Sequence, residues 1–380
     1  MNNAHSLVFA ALLNVALASP ALSQDAQPAT APAQPATALS GYMELHYNKP
    51  QFADGELDFH RFVLLVTHRF SDRIRFVGEL EVEHAFVEGL EPAGELELEQ
   101  AYVDFLLSRA FNVRAGMMLM PVGILNERHE PPIFYGVERT LVDTVIVPTT
   151  WFEPGVGVHG ELGNGWRYRA FLVAPLNAAR FTADDGLRDG RQKGSRANAG
   201  RMAITGRLEY AGIAGLTIGA SGWSGSSGAE FRPRFEVPVH LVEADLRYSR
   251  DRLELRAQAA QVAIGSTADL NDALGRAVGV DPNVARRLRG AYAEAGYRVV
   301  NGARWGDVGV FARYEHANTQ SGMAPGYQPL PEFNRQAWTF GATYWPDADV
   351  AVKVDYSVMR NRSQVVAAPN TFNIGLGWWF

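Results

Sequence analysis

The sequence predicts an all-β fold, a transmembrane antiparallel β-barrel of about 16 strands, and three observations predict it. Apolar and polar residues alternate with period two from Gly41 to Phe380. The connections between the alternating segments are short and long by turns. No apolar run reaches the ~20 residues that a membrane-spanning helix needs. Successive side chains on a strand point to opposite faces, so each segment presents one apolar and one polar face.

Bulk composition narrows the function classes. The chain has 380 residues, 35 basic and 41 acidic, for a formal net charge of −6. It has no basic excess to neutralise nucleic-acid phosphates, so no nucleic-acid partner is expected. It has no cysteine, which excludes disulfides, thiolate metal sites and thiol nucleophiles. Lys49, Lys193 and Lys353 are the only lysines, so arginine supplies the other 32 of the 35 basic residues.

Residues 7–18 read as the apolar core of a signal peptide over 1–23, with Ala21-Leu22-Ser23 as its cleavage site, although residues 1–6 lack the usual basic charge. Residues 24–39, rich in Ala, Pro and Gln, read as a flexible leader that cannot build a core. The barrel is expected over 40–380. Alternation places strands near 41–48, 57–69, 73–86, 95–107, 111–118, 152–162, 166–174, 201–211, 214–223, 237–249, 252–264, 290–300, 306–316, 335–345, 349–360 and 370–380. Ile74, Phe76, Leu80 and Val82 alternate with Arg73, Arg75, Glu79, Glu81 and Glu83, and Phe372, Ile374, Leu376, Trp378 and Phe380 share the apolar face of the last strand. Strands of a soluble sandwich also alternate. Here, however, the polar faces carry full charges of both signs and the apolar faces end in aromatics, as a lipid-facing band around a wet interior requires.

The short gaps carry turn residues such as Gly163-Asn164-Gly165, and the long ones include 119–151, 175–200 and 265–289. An even strand count puts both ends on the short-turn, periplasmic side. Within the long gap after the eleventh strand, Leu270, Leu274 and Val278 are spaced for a short helix. Lipid satisfies no backbone N–H or C=O group, so the sheet must close. A barrel of this strand number is expected to enclose an aqueous channel.

Two further stretches carry a resemblance. The chain ends in Gly375-Leu376-Gly377-Trp378-Trp379-Phe380, and Trp378 and Phe380 resemble the assembly signal that porins present to the barrel-assembly machinery. Arg114-Ala115-Gly116-Met117, Pro121-Val122-Gly123, Arg128-His129-Glu130-Pro131-Pro132, Phe134-Tyr135-Gly136-Val137-Glu138-Arg139 and Pro148-Thr149-Thr150-Trp151 resemble the phosphate-selective porin O/P family, most specifically over 111–162. The resemblance implies a homotrimeric Gram-negative outer-membrane porin that passes small hydrophilic solutes or anions. Family members selective for phosphate place a lysine cluster at the constriction, and this chain departs from that pattern.

The 119–151 gap is the longest, and loops beyond ~12–15 residues are usually functional. By its likeness to the inward-folded third loop of general porins, Arg128, His129, Glu130, Glu138, Arg139 and Asp143 are the expected constriction residues; the alternative is an external cap on the rim. Parity assigns Arg61, Arg73, Arg75, Arg114, Arg167, Arg169, Arg207, Arg256, Arg298, Arg313, Glu79, Glu81 and Glu83 to the lumen wall. Such rings of charge bias ion passage, but opposite charges also pair across strands. Neither Arg128-His129-Glu130 nor His240 with Glu243 has a recognisable ligand spacing, so no metal is expected. No cofactor and no enzymatic activity are expected, for want of a catalytic constellation. The expected function is passive diffusion across the outer membrane. The alternative is a non-conducting barrel that acts structurally or as an interaction surface.

Overall fold

In a computed structural model, the described residues are 36–85, 94–231, 234–278 and 282–380. The signal peptide and all but the end of the leader lie outside them. Sixteen antiparallel strands close into one barrel in sequence order. They are β1 Thr37–Pro50, β2 Glu56–Ser71, β3 Ile74–Glu83, β4 Glu95–Leu106, β5 Asn112–Leu119, β6 Phe152–Gly163, β7 Trp166–Val173, β8 Ala203–Ile213, β9 Leu216–Ser226, β10 Pro238–Arg250, β11 Leu253–Ile264, β12 Arg287–Ala303, β13 Gly306–Gly322, β14 Asn334–Asp347, β15 Val350–Asn361 and β16 Thr371–Trp379. Each expected strand is present within a few residues. The leader boundary shifts: 37–39 belong to β1, where they pair with 66–68 of β2 and so satisfy backbone groups that a leader would leave to water.

Closure comes from β1 pairing with β16, Tyr42 opposite Trp379 through Pro50 opposite Thr371. Gly41 and Phe380 complete that seam by exchanging two backbone hydrogen bonds of 3.1 and 3.0 Å. No ladder group is left at an open edge, as hydrocarbon surroundings demand. The connections on one side are two residues long, except that between β4 and β5; those on the other run up to residues 120–151. Asn164 and Gly165 both take positive φ (49° and 86°), the type I′ geometry that matches strand twist.

Outside, large apolar side chains such as Leu96, Ile204, Val242, Val310 and Val354 stand exposed. Trp166 packs on Tyr210 and Trp305 on Tyr344 near the short-turn end. That is a lipid-facing band with an aromatic girdle. Inside, the external half of the barrel is filled. Residues of the long connections, among them Leu125, Phe134, Ile146, Leu176, Phe181 and Leu187, form one buried apolar cluster with inward wall residues such as Trp223, Val262 and Tyr292. The expected helix is α1, Thr267–Val278, which buries Leu270 and Leu274 in that cluster.

Gly41 permits the seam to close, because a Cβ there would strike the Val63 carbonyl and lie 2.9 Å from the Phe380 ring. Overpacking of this kind costs about 1–3 kcal/mol. Gly41→Val is expected to lower the yield of heat-modifiable, folded barrel on semi-native electrophoresis. Gly41→Ala, which adds only the Cβ, should lose less than Gly41→Val, and a Gly41→Val yield equal to that of the unaltered protein would show that the seam does not need the glycine.

Candidate functional site inside the barrel

The segment 120–151 enters the barrel and crosses its interior. An irregular chain withdrawn from water must find a partner for each backbone polar group, and inward wall side chains supply them. The Gln258 carboxamide oxygen accepts from Ile124 N–H at 2.7 Å. Thr343 donates to the Tyr135 carbonyl and Lys353 to the Gly136 carbonyl, each at 2.8 Å. Asp355 accepts from Val137 N–H at 2.7 Å, and Glu315 from Leu141 N–H. Arg256 donates to the Ile133 carbonyl and Arg313 to that of Glu138. The external cap on the rim is therefore not the arrangement found.

The wall is shaped for the segment. Gly296 and Gly309 flank the Tyr135 ring, and a Cβ on either would collide with it. Phe311 and Trp345 complete the pocket, with ring centroids 5.7 and 5.5 Å from Tyr135. Asn126 ties the two ends together. Fully buried, its amide donates to the carbonyls of Met120 and Trp151 at 2.7 and 2.8 Å, while its oxygen accepts from Trp151 N–H.

The next long connection, 174–202, lies over this segment. Arg188 donates to the carbonyls of Thr149 and Thr144, and Arg191 to those of Pro148 and Thr150. Arg139 donates to the Thr150 hydroxyl at 3.0 Å, and its Nη2 is buried without a hydrogen-bond partner. A polar cavity of about 220 Å³ remains between these residues and the β1–β4 wall. Arg139, Arg188, Arg191 and Lys193 line it together with His46, His60, Arg61 and the carboxylates of Glu44, Glu83, Glu97, Glu99 and Glu138.

Charges in the cavity are unevenly compensated. Arg61 faces Glu44, Glu81 and Glu83 at 3.1–3.5 Å, His46 contacts Glu44 and Glu138, and Lys193 is held by Glu95 and Glu97. Among the described residues, no carboxylate lies within ion-pair distance of Arg139, Arg188 or Arg191. Burial, then the charges of Arg191 and Arg139, push the Arg188 guanidinium down to about 10. It remains charged at neutral pH.

Of the six residues expected at the constriction, only Glu138 and Arg139 line the cavity. His129 is buried against Glu99 and Glu79 of the wall. Asp143 is buried in hydrogen bonds to Thr140 and Gln258, and Arg128 and Glu130 are half-buried away from the cavity. Most of the residues expected on the wall sit in ion pairs. Arg75 and Arg114 share Asp104, Arg167 meets Glu161 and Glu209, and Arg169 meets Glu127. Arg207 meets Asp245, Arg298 meets Asp307, and Arg313 meets Glu294 and Glu315. Arg73 is corrected: it has the parity of Arg75 but sits exposed in the turn between β2 and β3, one residue before β3 begins. Sequence reasoning missed Arg188 and Arg191. Their only signal was a pair of arginines three apart in a loop taken for an outer surface.

Among the described residues, two clusters have metal-ligating composition. Asp58, His60 and His84 lie at the external mouth, and Glu79, Glu99 and His129 lie inside the wall. In the first, Arg61 donates to His60 Nε2 at 2.8 Å, which sets a cation beside that ring.

The architecture is that of outer-membrane porins. An outer-membrane channel, DcaP of Acinetobacter baumannii, superposes with a TM-score of 0.61 at 14% identity, over 90% of this chain and 97% of that one. The anion-selective porin of Comamonas acidovorans gives 0.56 at 10% identity, over 90% and 99%. No family model matches the chain. An uncharacterized protein of Aquifex aeolicus (strain VF5) is 33% identical over 328 residues, 84% of this chain and 74% of that protein, and the chain belongs to its family.

Removing the Asn126 side chain leaves the buried Trp151 N–H unpaired, at a cost of about 1–3 kcal/mol, and takes one of two hydrogen bonds from each of the Met120 and Trp151 carbonyls, which also accept from Val122 N–H and Met120 N–H respectively. Asn126→Ala is expected to make 120–151 sensitive to protease while the barrel stays heat-modifiable. Unchanged protection would show that the ends are tied otherwise.

Burial raises the Asp143 carboxyl to about 6, against hydrogen bonds from Gln258 and Thr140. Glu315 adds to the rise and Arg139 opposes it. The folded segment thus holds a proton that an unfolded carboxyl gives up near pH ~4. The stabilisation is complete below that value and is lost as pH rises through about 6. Amide exchange in 120–151 should be slower at pH 5 than at pH 7.5 after correction for intrinsic rates, and Asp143→Asn should flatten the difference. A trend equal in both proteins would exclude Asp143 as its source.

Proposed function

We propose that the chain is a narrow, anion-preferring outer-membrane channel for passive diffusion of small hydrophilic solutes. The observation that carries this reading is the Arg139, Arg188 and Arg191 cluster, whose guanidiniums, among the described residues, meet only carbonyl and hydroxyl oxygens around a polar cavity. Uncompensated guanidinium groups of this kind attract anions and bind carboxylate or phosphate through paired N–H donors. The likeness over 111–162 to the phosphate-selective O/P family fits an anion route. Its lysine cluster has no counterpart here: Lys193 is held by Glu95 and Glu97, and Lys353 serves the Gly136 carbonyl. The anion preference therefore rests on arginine and extends to anions in general. Export by a signal peptide, assembly guided by Trp378 and Phe380, and a homotrimer are the accompanying expectations.

A second reading, a closed barrel acting as a surface protein, is favoured by the apolar cluster that fills the external half of the lumen.

Single-channel recording in a planar bilayer under a potassium chloride gradient tests both. Small, steady steps with an anion-side reversal potential are expected. Arg139→Gln with Arg188→Gln should move that potential toward the cation side. Steps that are cation-selective in the unaltered protein would refute the arginine route. A folded barrel without steps would leave the second reading.

A further inference from the structure

We propose that Glu79, Glu99 and His129 bind one divalent cation of the zinc or manganese type, which fastens the interior segment to the barrel wall. Glu79 comes from β3, Glu99 from β4 and His129 from the segment 120–151. Their ligand atoms lie within 4.8 Å of one another. His129 Nε2 is 3.3 Å from Glu99 Oε2 and 4.0 Å from Glu79 Oε1. Zinc bonds of ~2.0–2.2 Å in a tetrahedron set neighbouring ligand atoms about 3.3–3.6 Å apart. The first pair already has that separation, and the second needs a shift of a few tenths of an ångström.

Three features of the site point to a cation. The first is the orientation of the ring. His129 Nδ1 lies 3.2 Å from the Asn126 carbonyl oxygen, which can only accept. Nδ1 therefore donates, and Nε2 turns toward the two carboxylates. Ligating histidines are held in this way, by a hydrogen bond from the other nitrogen.

The second is a set of buried polar atoms without hydrogen bonds. Glu99 is 0% exposed, and neither of its carboxylate oxygens accepts one. His129 Nε2 and the Tyr42 hydroxyl also lack one. The Tyr42 ring meets that of His129 edge-on at 6.0 Å. Native structures rarely leave such groups unsatisfied, and a clustered set calls for a specific partner.

The third is charge. Arg61 is engaged by Glu44, Glu81 and Glu83, and the hydrogen bond that Glu79 receives comes from the neutral Gln100 side chain. Two buried carboxylates thus share one imidazole. A dication with a neutral imidazole balances them, whereas an imidazolium leaves one negative charge buried. Two carboxylates and an imidazole suit borderline divalent ions. The consequence is mechanical: the cation joins 120–151 to β3 and β4, and the inference holds whether or not the barrel conducts.

The test uses the refolded full chain, stripped with chelator and titrated with zinc, with cobalt as a spectroscopic probe. One equivalent per chain is expected, with ligand-field bands for cobalt and slower proteolysis of 120–151 on zinc addition. Glu99→Gln, near-isosteric, should weaken binding at least about tenfold and abolish the zinc-dependent protection. Glu79→Gln serves as the second variant if Glu99→Gln yields no heat-modifiable barrel. His84→Ala should leave the stoichiometry unchanged. Absence of binding to folded protein would overturn the proposal and leave His129 as an imidazolium between two carboxylates. Binding lost in His84→Ala but kept in the glutamate variants would also overturn it, by moving the ion to the external mouth.

Discussion

At the depth of the lipid, every backbone polar group must find its partner within the protein, and the rest of the architecture follows from that constraint. It explains why β1 meets β16, and why Gly41 stands where the Phe380 ring needs space. It also governs the interior. The segment 120–151 has little repetitive structure of its own, so it depends on the wall for hydrogen bonds. Gln258, Thr343, Lys353, Asp355, Arg256, Arg313 and Glu315 meet that need. Several wall charges that would otherwise face a wet pore are committed to folding a loop.

That commitment changes what the charged wall means. A ring of arginines in an open barrel biases ions along its length. Here wall arginines and carboxylates answer one another across the sheet, as Arg207 of β8 does in reaching over Gly219 of β9 to Asp245 of β10 at 2.6 Å. Their fields largely cancel at a distance. Among the described residues, Arg139, Arg188 and Arg191, where the two long connections meet, line the cavity with no carboxylate at ion-pair distance.

The strands were legible in the sequence because period two is a local property, written into each segment without reference to its neighbours. The interior segment was legible as a long apolar gap, and its inward course fits its composition. The partners were not legible. Asp355 meets Val137 and Glu99 meets His129 only once the barrel has closed, across sequence separations that no local pattern records. Parity also fails at irregularities. A bulge opposite Leu45 of β1 lets both His60 and Arg61 of β2 face the cavity, where strict alternation would send one of them to lipid. Arg188 and Arg191 were hidden for a different reason: a loop reads as exposed when its apolar residues, here Leu176, Phe181 and Leu187, are too scattered to show a period.

On the proposed anion route, folding and selectivity share the same groups where the two long connections meet. A guanidinium has five donors in a rigid plane, so Arg188 and Arg191 can each engage carbonyls of 144–150 while their charge lines the cavity. Lysine would keep the charge but present it from a flexible stem without the planar fork, so the carbonyls would be held less firmly. At these two positions the planar fork of arginine meets a demand that lysine would not: a buried cation here must order the irregular backbone of 144–150.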